Sequence, residues 1–350
     1  MGALNVPSRV QLLPILTVNF VGTLGFGIVL PFLVYLVTRL GGNAVIYGVL
    51  GATYSLFQLV GAPILGRWSD RMGRRRILLL SQIGTLVSWG IFLIALAIPA
   101  RPMVTVNSAA LGVFTLTVPL VVLFLARALD GLTGGNVSVA NAYLADITPE
   151  SERGAAFGKM SVASNLGFIM GPALAGVLGA TALGETLPVM AAFVISVVGT
   201  VIIAVRLPES NPCVLLQEPE STSVAVSDRT LLLLGSAILA VSFAFFASIR
   251  TATLYAGAAL LAVGNGLMWP SLLSILSKAA RPSIQGAVQG IAGSSSAVAS
   301  IVGLLVGGVL YGLLGGLVFP IATAVTAGVF LMALLTGTGS RTMTTSTAHD

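Results

Sequence analysis

The stretch "GRWSDRMGRRRI", Gly66 to Ile77, places five arginines in twelve residues of a chain whose charged residues are only 8% of the total. Largely apolar runs without a charged residue flank it on both sides, Ile46 to Leu65 before and Ile77 to Ile98 after. A helix needs roughly 20 apolar residues to cross a bilayer, where its backbone has no water to bond to. The arginine cluster is therefore a short loop between two candidate spans. The rest of the chain repeats this pattern: apolar residues make up 56% of it and the mean hydropathy is +1.02. A soluble domain carries about a quarter charged residues. The composition is that of an all-α integral membrane protein.

Ten spans can be counted: Leu13 to Val37, Ile46 to Leu65, Ile77 to Ile98, Pro119 to Ala145, Gly154 to Leu178, Leu187 to Val205, Leu231 to Ile249, Leu254 to Leu276, Ile284 to Leu313 and Leu317 to Leu335. With the N-terminus in the cytoplasm, Arg9, Arg67, Arg71, Arg74, Arg75, Arg76, Arg153, Lys159, Arg206, Arg229, Lys278, Arg281 and Arg341 fall inside. Only Arg39, Arg101 and Arg250 fall outside. This is the asymmetry expected when short basic loops resist translocation, and it places both termini in the cytoplasm. The pI of about 10.0 is thus a matter of membrane orientation rather than of nucleic-acid binding. The first apolar run is too long for a signal-peptide core and lacks an A-x-A type cleavage site, so it reads as a retained helix. Cys213 is the single cysteine and His349, in a polar C-terminal tail, the single histidine. The pair offers no disulfide framework, metal site or cofactor attachment.

Orientation needs only basic residues, which leaves the glycines and the aspartate of the loop to explain. The order Gly66, Asp70, Arg71, Gly73, Arg74, Arg75 after a second span resembles the signature loop of the major facilitator superfamily, G-x-x-x-D-R-x-G-R-[RK]. The resemblance implies that the glycine lets helix ends approach and that the aspartate faces the N-terminus of a helix in the other half, closing a cytoplasmic gate. Further segments agree with it. "GFGIVLP", Gly25 to Pro31, is similar to the family's first-helix pattern, and "RALDGLTGG", Arg127 to Gly135, to its fourth-helix arginine motif. "GFIMGPALAG", Gly167 to Gly176, resembles the fifth-helix G-x-x-x-G-P-x-x-x-G of the drug and proton antiporters. "ADITPESERG", Ala145 to Gly154, resembles the loop whose acid pairs with the basic loop, which makes Asp146 that acid.

The chain also repeats itself. At an offset of 132, Gly154 to Leu178 falls on Gly286 to Leu310 without a gap, with Gly154, Ala155, Gly158, Ser164, Ile169, Gly171, Gly176, Val177 and Leu178 identical to their partners. Small residues at the same helical phase describe two helices built for the same close packing, as in transporters assembled from repeats. The family has two six-helix halves, so the counterpart of helix five is helix eleven, and here it is the ninth span. The expectation is a pseudo-symmetric bundle of about ten helices, six plus four, lacking the family's seventh and eighth. Its parts are an N-terminal bundle over 1-206, a cytoplasmic linker over 207-229, a four-helix partial bundle over 230-338 and a polar tail over 339-350. "SDRTLLLL", Ser227 to Leu234, echoes the "SDR" at Ser69 to Arg71 and supports that alignment.

Arg127 and Asp130 are the only charges placed well inside the membrane, where each costs roughly 2.5 to 3.5 kcal/mol on insertion scales. Their i,i+3 spacing puts them on one face. They form either a proton-carrying pair or a fixed ion pair that orients the fourth helix. Drug and proton antiporters often carry an acid on the first helix nine residues before its proline, and Gly22 stands there in this chain. Asn19, Tyr54, Gln58, Asn141, Asn165, Asn265 and Trp269 are polar or amphipathic groups within apolar spans. Each bonds helix to helix or faces a solute cavity, the set of Asn19, Tyr54, Gln58, Asn165, Asn265 and Trp269 suiting an amphiphilic or weakly basic solute. Gly167, Gly171, Pro172 and Gly176 form either a packing stripe or a hinge. The expected function is secondary transport of small-molecule solutes, with efflux by alternating access and protons as the coupling ion, in the inner or plasma membrane. The alternatives are a facilitator without proton coupling and a truncated member that inserts without transporting. An integral membrane enzyme would need acids or histidines gathered at one membrane face, and the sequence holds no such set.

Overall fold

The computed structural model describes residues 12–108, 112–134, 136–210, 227–248 and 251–336. Cys213, His349, most of the linker and the polar tail lie outside the described residues. So do Arg9, Arg250 and Arg341 of the charge count.

The helices follow the apolar runs and overshoot them. α1 (Leu12–Arg39), α2 (Ala44–Met72) and α3 (Arg74–Ala97) come first. Between α3 and α4 stands a hairpin of β1 (Pro102–Ser108) and β2 (Gly112–Thr117). α4 (Val118–Thr133) and α5 (Asn136–Asp146) make up the fourth span, and α6 (Arg153–Gly179) and α7 (Thr186–Arg206) the fifth and sixth. α8 (Asp228–Phe246), α9 (Thr251–Ala279), α10 (Gln285–Leu314) and α11 (Val318–Thr336) complete the order. Among the described residues nine helical stretches are long and apolar enough to cross a membrane, and α10 covers the remaining expected span. The all-α membrane architecture expected from the sequence is present.

The hairpin is the element the sequence reading did not foresee. Its strands pair antiparallel, with Thr105 opposite Thr115 and Val106 opposite Phe114. It is tied to the turn between α1 and α2: the Thr115 N–H donates to Gly41 O at 2.7 Å and Thr117 Oγ1 to Leu40 O at 2.7 Å. The same Thr117 caps α4, accepting from the Leu120 N–H. Asn43 caps α2 in the same way, accepting from the Ile46 N–H at 3.0 Å.

The chain divides into two compact units. The first comprises residues 1–225 and 273–309, and the second residues 226–272 and 310–350. In the first, two apolar clusters lie at successive levels along the helices. One is built from Ile28, Leu36, Leu50, Phe92, Leu120 and Val189, and the other from Ile15, Ile77, Leu78, Tyr143, Phe157 and Ile203. Helix pairs approach closely wherever glycine faces backbone. A Cβ at Gly171 of α6 would stand 2.6 Å from the Gly27 carbonyl carbon of α1. Such contacts are how helices pack in lipid, where apolar burial between them gains little. In the second unit α8 lies along α11, with Phe246 against Phe319 and Arg229 Nη2 donating to Leu334 O at 3.1 Å. Ser242 Oγ of α8 donates to Gly257 O of α9 at 3.0 Å.

Candidate functional site

The arginine-rich loop closes into a buried network at one end of the first unit. α2 stops because Gly73 takes φ +100°, a conformation that L side chains rarely adopt, and α3 restarts at the next residue. This sharp corner puts Asp70 and Arg74 one turn apart across the break. The Asp70 carboxylate then caps α10: the Gly286 N–H donates to Oδ1 and the Ala287 N–H to Oδ2, each at 2.8 Å. These are two of the four N–H groups that a helix start leaves without an internal partner, and the helix dipole adds to their attraction for the anion. Gly66 and Gly286 face each other backbone to backbone at the same contact, where a Cβ on either would collide.

Arg74 stands behind Asp70 with its side chain fully buried. Nη1 donates to Asp70 Oδ1 at 2.6 Å and to Ser69 Oγ at 2.8 Å, and Nε donates to Asp146 Oδ2 at 2.7 Å. One guanidinium thus ties together the ends of α2, α3 and α5. A buried ion pair gains little net stability, but removing one partner strands the other at about 3–5 kcal/mol. Gly66, Asp70, Gly73, Arg74 and Asp146 come together at this point of the fold. Arg75 sends Nη2 to Ala204 O of α7 at 2.6 Å, while Arg71 is exposed.

Four further residues, none given a site role by the sequence, lie at or beside this network. Glu209, just past α7, accepts from the Arg74 N–H at 2.6 Å and the Arg75 N–H at 3.3 Å, capping α3 as Asp70 caps α10. Arg153 Nη1 donates to Ser277 O of α9 at 3.2 Å, and Gln285 Nε2 donates to the same carbonyl at 2.7 Å. Gln289, one turn further along α10, is buried with neither amide atom hydrogen-bonded among the described residues. The only available signal was position, an acid or amide within a turn of a span end beside a basic loop.

A second feature lies between the two apolar levels of the same unit. It is a cavity of about 260 Å³ lined by Asn19, Phe26, Tyr54, Gln82, Trp89, Asp130 and Phe168, among others. Among the described residues Asp130 is the only charged residue in its wall. Arg127 Nη1 donates to Asp130 Oδ2 at 3.2 Å, and its guanidinium carbon sits 5.3 Å from the Phe26 ring centre and 4.8 Å from that of Tyr54. The arginine is therefore held by one carboxylate and two aromatic faces. Asn19 Nδ2 donates to Met160 O and Ser164 Oγ, which joins α1 to α6 at the cavity edge.

The other candidates lie elsewhere. Gln58 stands behind Tyr54, donating to its hydroxyl at 3.4 Å and to Gly134 O at 3.3 Å. Asn165 is exposed on α6, and Asn141 is buried on α5. Asn265 and Trp269 are exposed positions of α9 in the second unit. Gly167 and Gly171 pack against α1, Pro172 lies within α6, and nothing stands within 4 Å of a Cβ at Gly176. Gln82 is a cavity residue that the sequence reading passed over; its Nε2 donates to Ser196 Oγ of α7 at 3.1 Å. Among the described residues no group of three or more His, Cys, Asp or Glu side chains could hold a metal ion.

A multi-pass helical bundle, with a carboxylate clasp at its basic end and a sparsely charged cavity within, defines a polytopic membrane protein. The Major Facilitator Superfamily model matches residues 15–225, and the chain belongs to that superfamily. It is 35% identical over 167 residues to the class E tetracycline resistance protein of Escherichia coli, a match covering 47% of this chain and 36% of the relative. To the class C protein of Escherichia coli it is 35% identical over 192 residues, covering 54% and 42%. To multidrug resistance protein 1 of Bacillus subtilis (strain 168) it is 29% identical over 205 residues, covering 58% and 47%. The chain thus spans less than half the length of these relatives. Among solved structures, the human organic anion transporter MFSD10 (TETRAN) superposes with a TM-score of 0.70 at 18% identity, covering 95% of this chain and 99% of that one. The proton:xylose symporter XylE gives 0.69 at 14% identity, covering 95% and 96%. These two likenesses concern the fold.

Proposed function

We propose that the protein is a secondary transporter that exports small amphiphilic solutes by alternating access. On this reading the halves 1-206 and 230-338 rock against each other, the basic end faces the cytoplasm of a plasma membrane, and the state described here is closed at that end. The observation that carries it is the double hydrogen bond from the first N–H groups of α10 to the Asp70 carboxylate. A contact made by one rigid group to a helix start can be broken and remade as a unit, which is what a gate between two states needs. The efflux relatives and the sparsely charged, aromatic-lined cavity support a solute of drug-like rather than polyanionic character.

The coupling ion is a proton carried by the Arg127–Asp130 pair, since among the described residues Asp130 is the one carboxylate in the cavity wall. A second reading, facilitated movement without protons, is favoured by the aromatic and carboxylate contacts that already hold Arg127 in place. Everted membrane vesicles loaded with a fluorescent amphiphilic dye separate the two. Proton coupling predicts that Asp130→Asn abolishes accumulation against a gradient under an imposed pH difference while sparing downhill movement. Equal uphill uptake by wild type and Asp130→Asn rejects it. A chain with no dye movement in either direction rejects transport itself.

A further inference from the structure

At the basic end of the first unit a groove of about 680 Å³ opens between the ends of α1, α3 and α7. Arg75 and Arg206 line it, with Leu13, Thr17, Ile202 and Val205 among the remaining walls, and among the described residues no carboxylate contributes to its surface. Leu13 and Val205 are about two-thirds exposed, at 68% and 70%. The nearby acid, Glu209, is turned away onto the backbone N–H groups of Arg74 and Arg75. The Arg75 guanidinium spends one nitrogen on Ala204 O, the last-turn carbonyl of α7, and Arg206 forms no hydrogen bond or ion pair among the described residues.

We propose that this groove is a binding site for an anionic phospholipid of the adjacent leaflet, its phosphate held between Arg75 and Arg206 and the upper part of an acyl chain laid along Leu13, Ile202 and Val205. Three features point to lipid. Two arginines line the one groove, and the planar guanidinium fork suits phosphate oxygens. They stand at the ends of membrane-length helices, the depth at which headgroups lie. The walls running from them along the helices are mostly apolar and, among the described residues, uncovered, so a chain attached to the phosphate has a surface to follow. The site adjoins the clasp through consecutive residues, because Arg74 inserts into the clasp while Arg75 faces the groove. A bound phosphate would fix the α3 corner through Arg75 and so favour the clasped state.

Native mass spectrometry of the purified full-length chain in detergent, incubated with phosphatidylglycerol, phosphatidylcholine or inorganic phosphate, tests this. The wild type should retain phosphatidylglycerol over phosphatidylcholine, and Arg206→Gln and Arg75→Gln should each lower that preference by about fivefold, the effect of one basic residue at an anionic surface. Arg67→Gln, an exposed arginine at the same end outside the groove, should leave it unchanged. Arg206 forms no hydrogen bond or ion pair among the described residues and is exposed, so Arg206→Gln keeps the test valid even if Arg75→Gln misfolds. An unchanged preference in Arg206→Gln, or an equal fall in Arg67→Gln, overturns the site. Displacement of phosphatidylglycerol by millimolar inorganic phosphate overturns the lipid as its occupant, leaving a simple anion site.

Discussion

Asp70 does three things with two oxygens: it accepts from the Gly286 N–H, from the Ala287 N–H and from Arg74 Nη1. Asparagine in its place keeps the size but not the charge, and it turns an N–H₂ group toward donors. Charge-assisted bonds contribute about 1.5–3 kcal/mol each, so the clasped state should lose at least tenfold in population. Gln289 acts with the opposite sign. Its buried amide has no partner among the described residues, and such a group costs about 1–3 kcal/mol in the packed state and little once water reaches it. Gln289→Met removes that cost at similar volume. The paired expectation is that a cysteine at Ser138, beside Gly293 of α10, reacts faster with a maleimide in Asp70→Asn and slower in Gln289→Met, both in a Cys213→Ser background. Equal rates in all three would mean that the loop fixes topology and gates nothing. Asp70 was legible in the sequence because a charge in so apolar a chain must have a use. Glu209 was not, because it begins a polar stretch where an acid stands out from nothing. Gln289 was hidden for the reverse reason, since an amide in an apolar helix gives no sign of whether it has found a partner.

At the scale of the elements, periodicity and length marked every span, since ten runs of sufficient length leave few other folds. What they could not mark was where each helix ends. α2 runs to Met72 rather than Leu65, because the signature loop itself continues the helix until Gly73 turns it. The hairpin was missed because its alternation, Val104, Val106, Phe114, Leu116, is short and lies among polar residues between two strong helical signals. The stripe on α6 was read as either packing or hinge, and the two ends of it behave differently. Gly171→Ala would set a methyl group into the Gly27 backbone and should cost about 1–3 kcal/mol as overpacking between α1 and α6. Gly176→Ala meets open space and, by lowering the helix's backbone entropy cost, should be neutral or stabilising by about 0.5–1 kcal/mol. Thermal unfolding in detergent measures both. If Gly176→Ala leaves stability intact but slows dye transport, bending at that position is required; if transport is also unchanged, the stripe acts through packing at Gly171 alone.

For the whole molecule, the reading depends on which face of the membrane holds the clasp. Arginine distribution argues for the cytoplasm, because Arg67, Arg71, Arg74, Arg75 and Arg76 share one short segment around Gly73, whereas among the described residues Arg39 and Arg101 are the arginines near the hairpin. The hairpin gives this argument a physical handle. Its Thr105 is exposed and anchored within a sheet that joins the α1–α2 turn, so a cysteine there reports the far face without disturbing a helix. Arg71 is exposed at the clasp end and takes no part in the network, so a cysteine there reports the near face. In intact cells, a membrane-impermeant maleimide should label Thr105→Cys at once and Arg71→Cys only after permeabilisation, again with Cys213 replaced by serine. The reverse pattern would put the Asp70 contact on the outer side. The state described here would then be closed to the outside and open inward, and export would have to begin from it rather than end in it. Charge bias decides which of these holds, since the clasp geometry is the same in both. Its sign can be varied independently, because Arg71 and Arg76 are exposed and can be neutralised without touching Arg74.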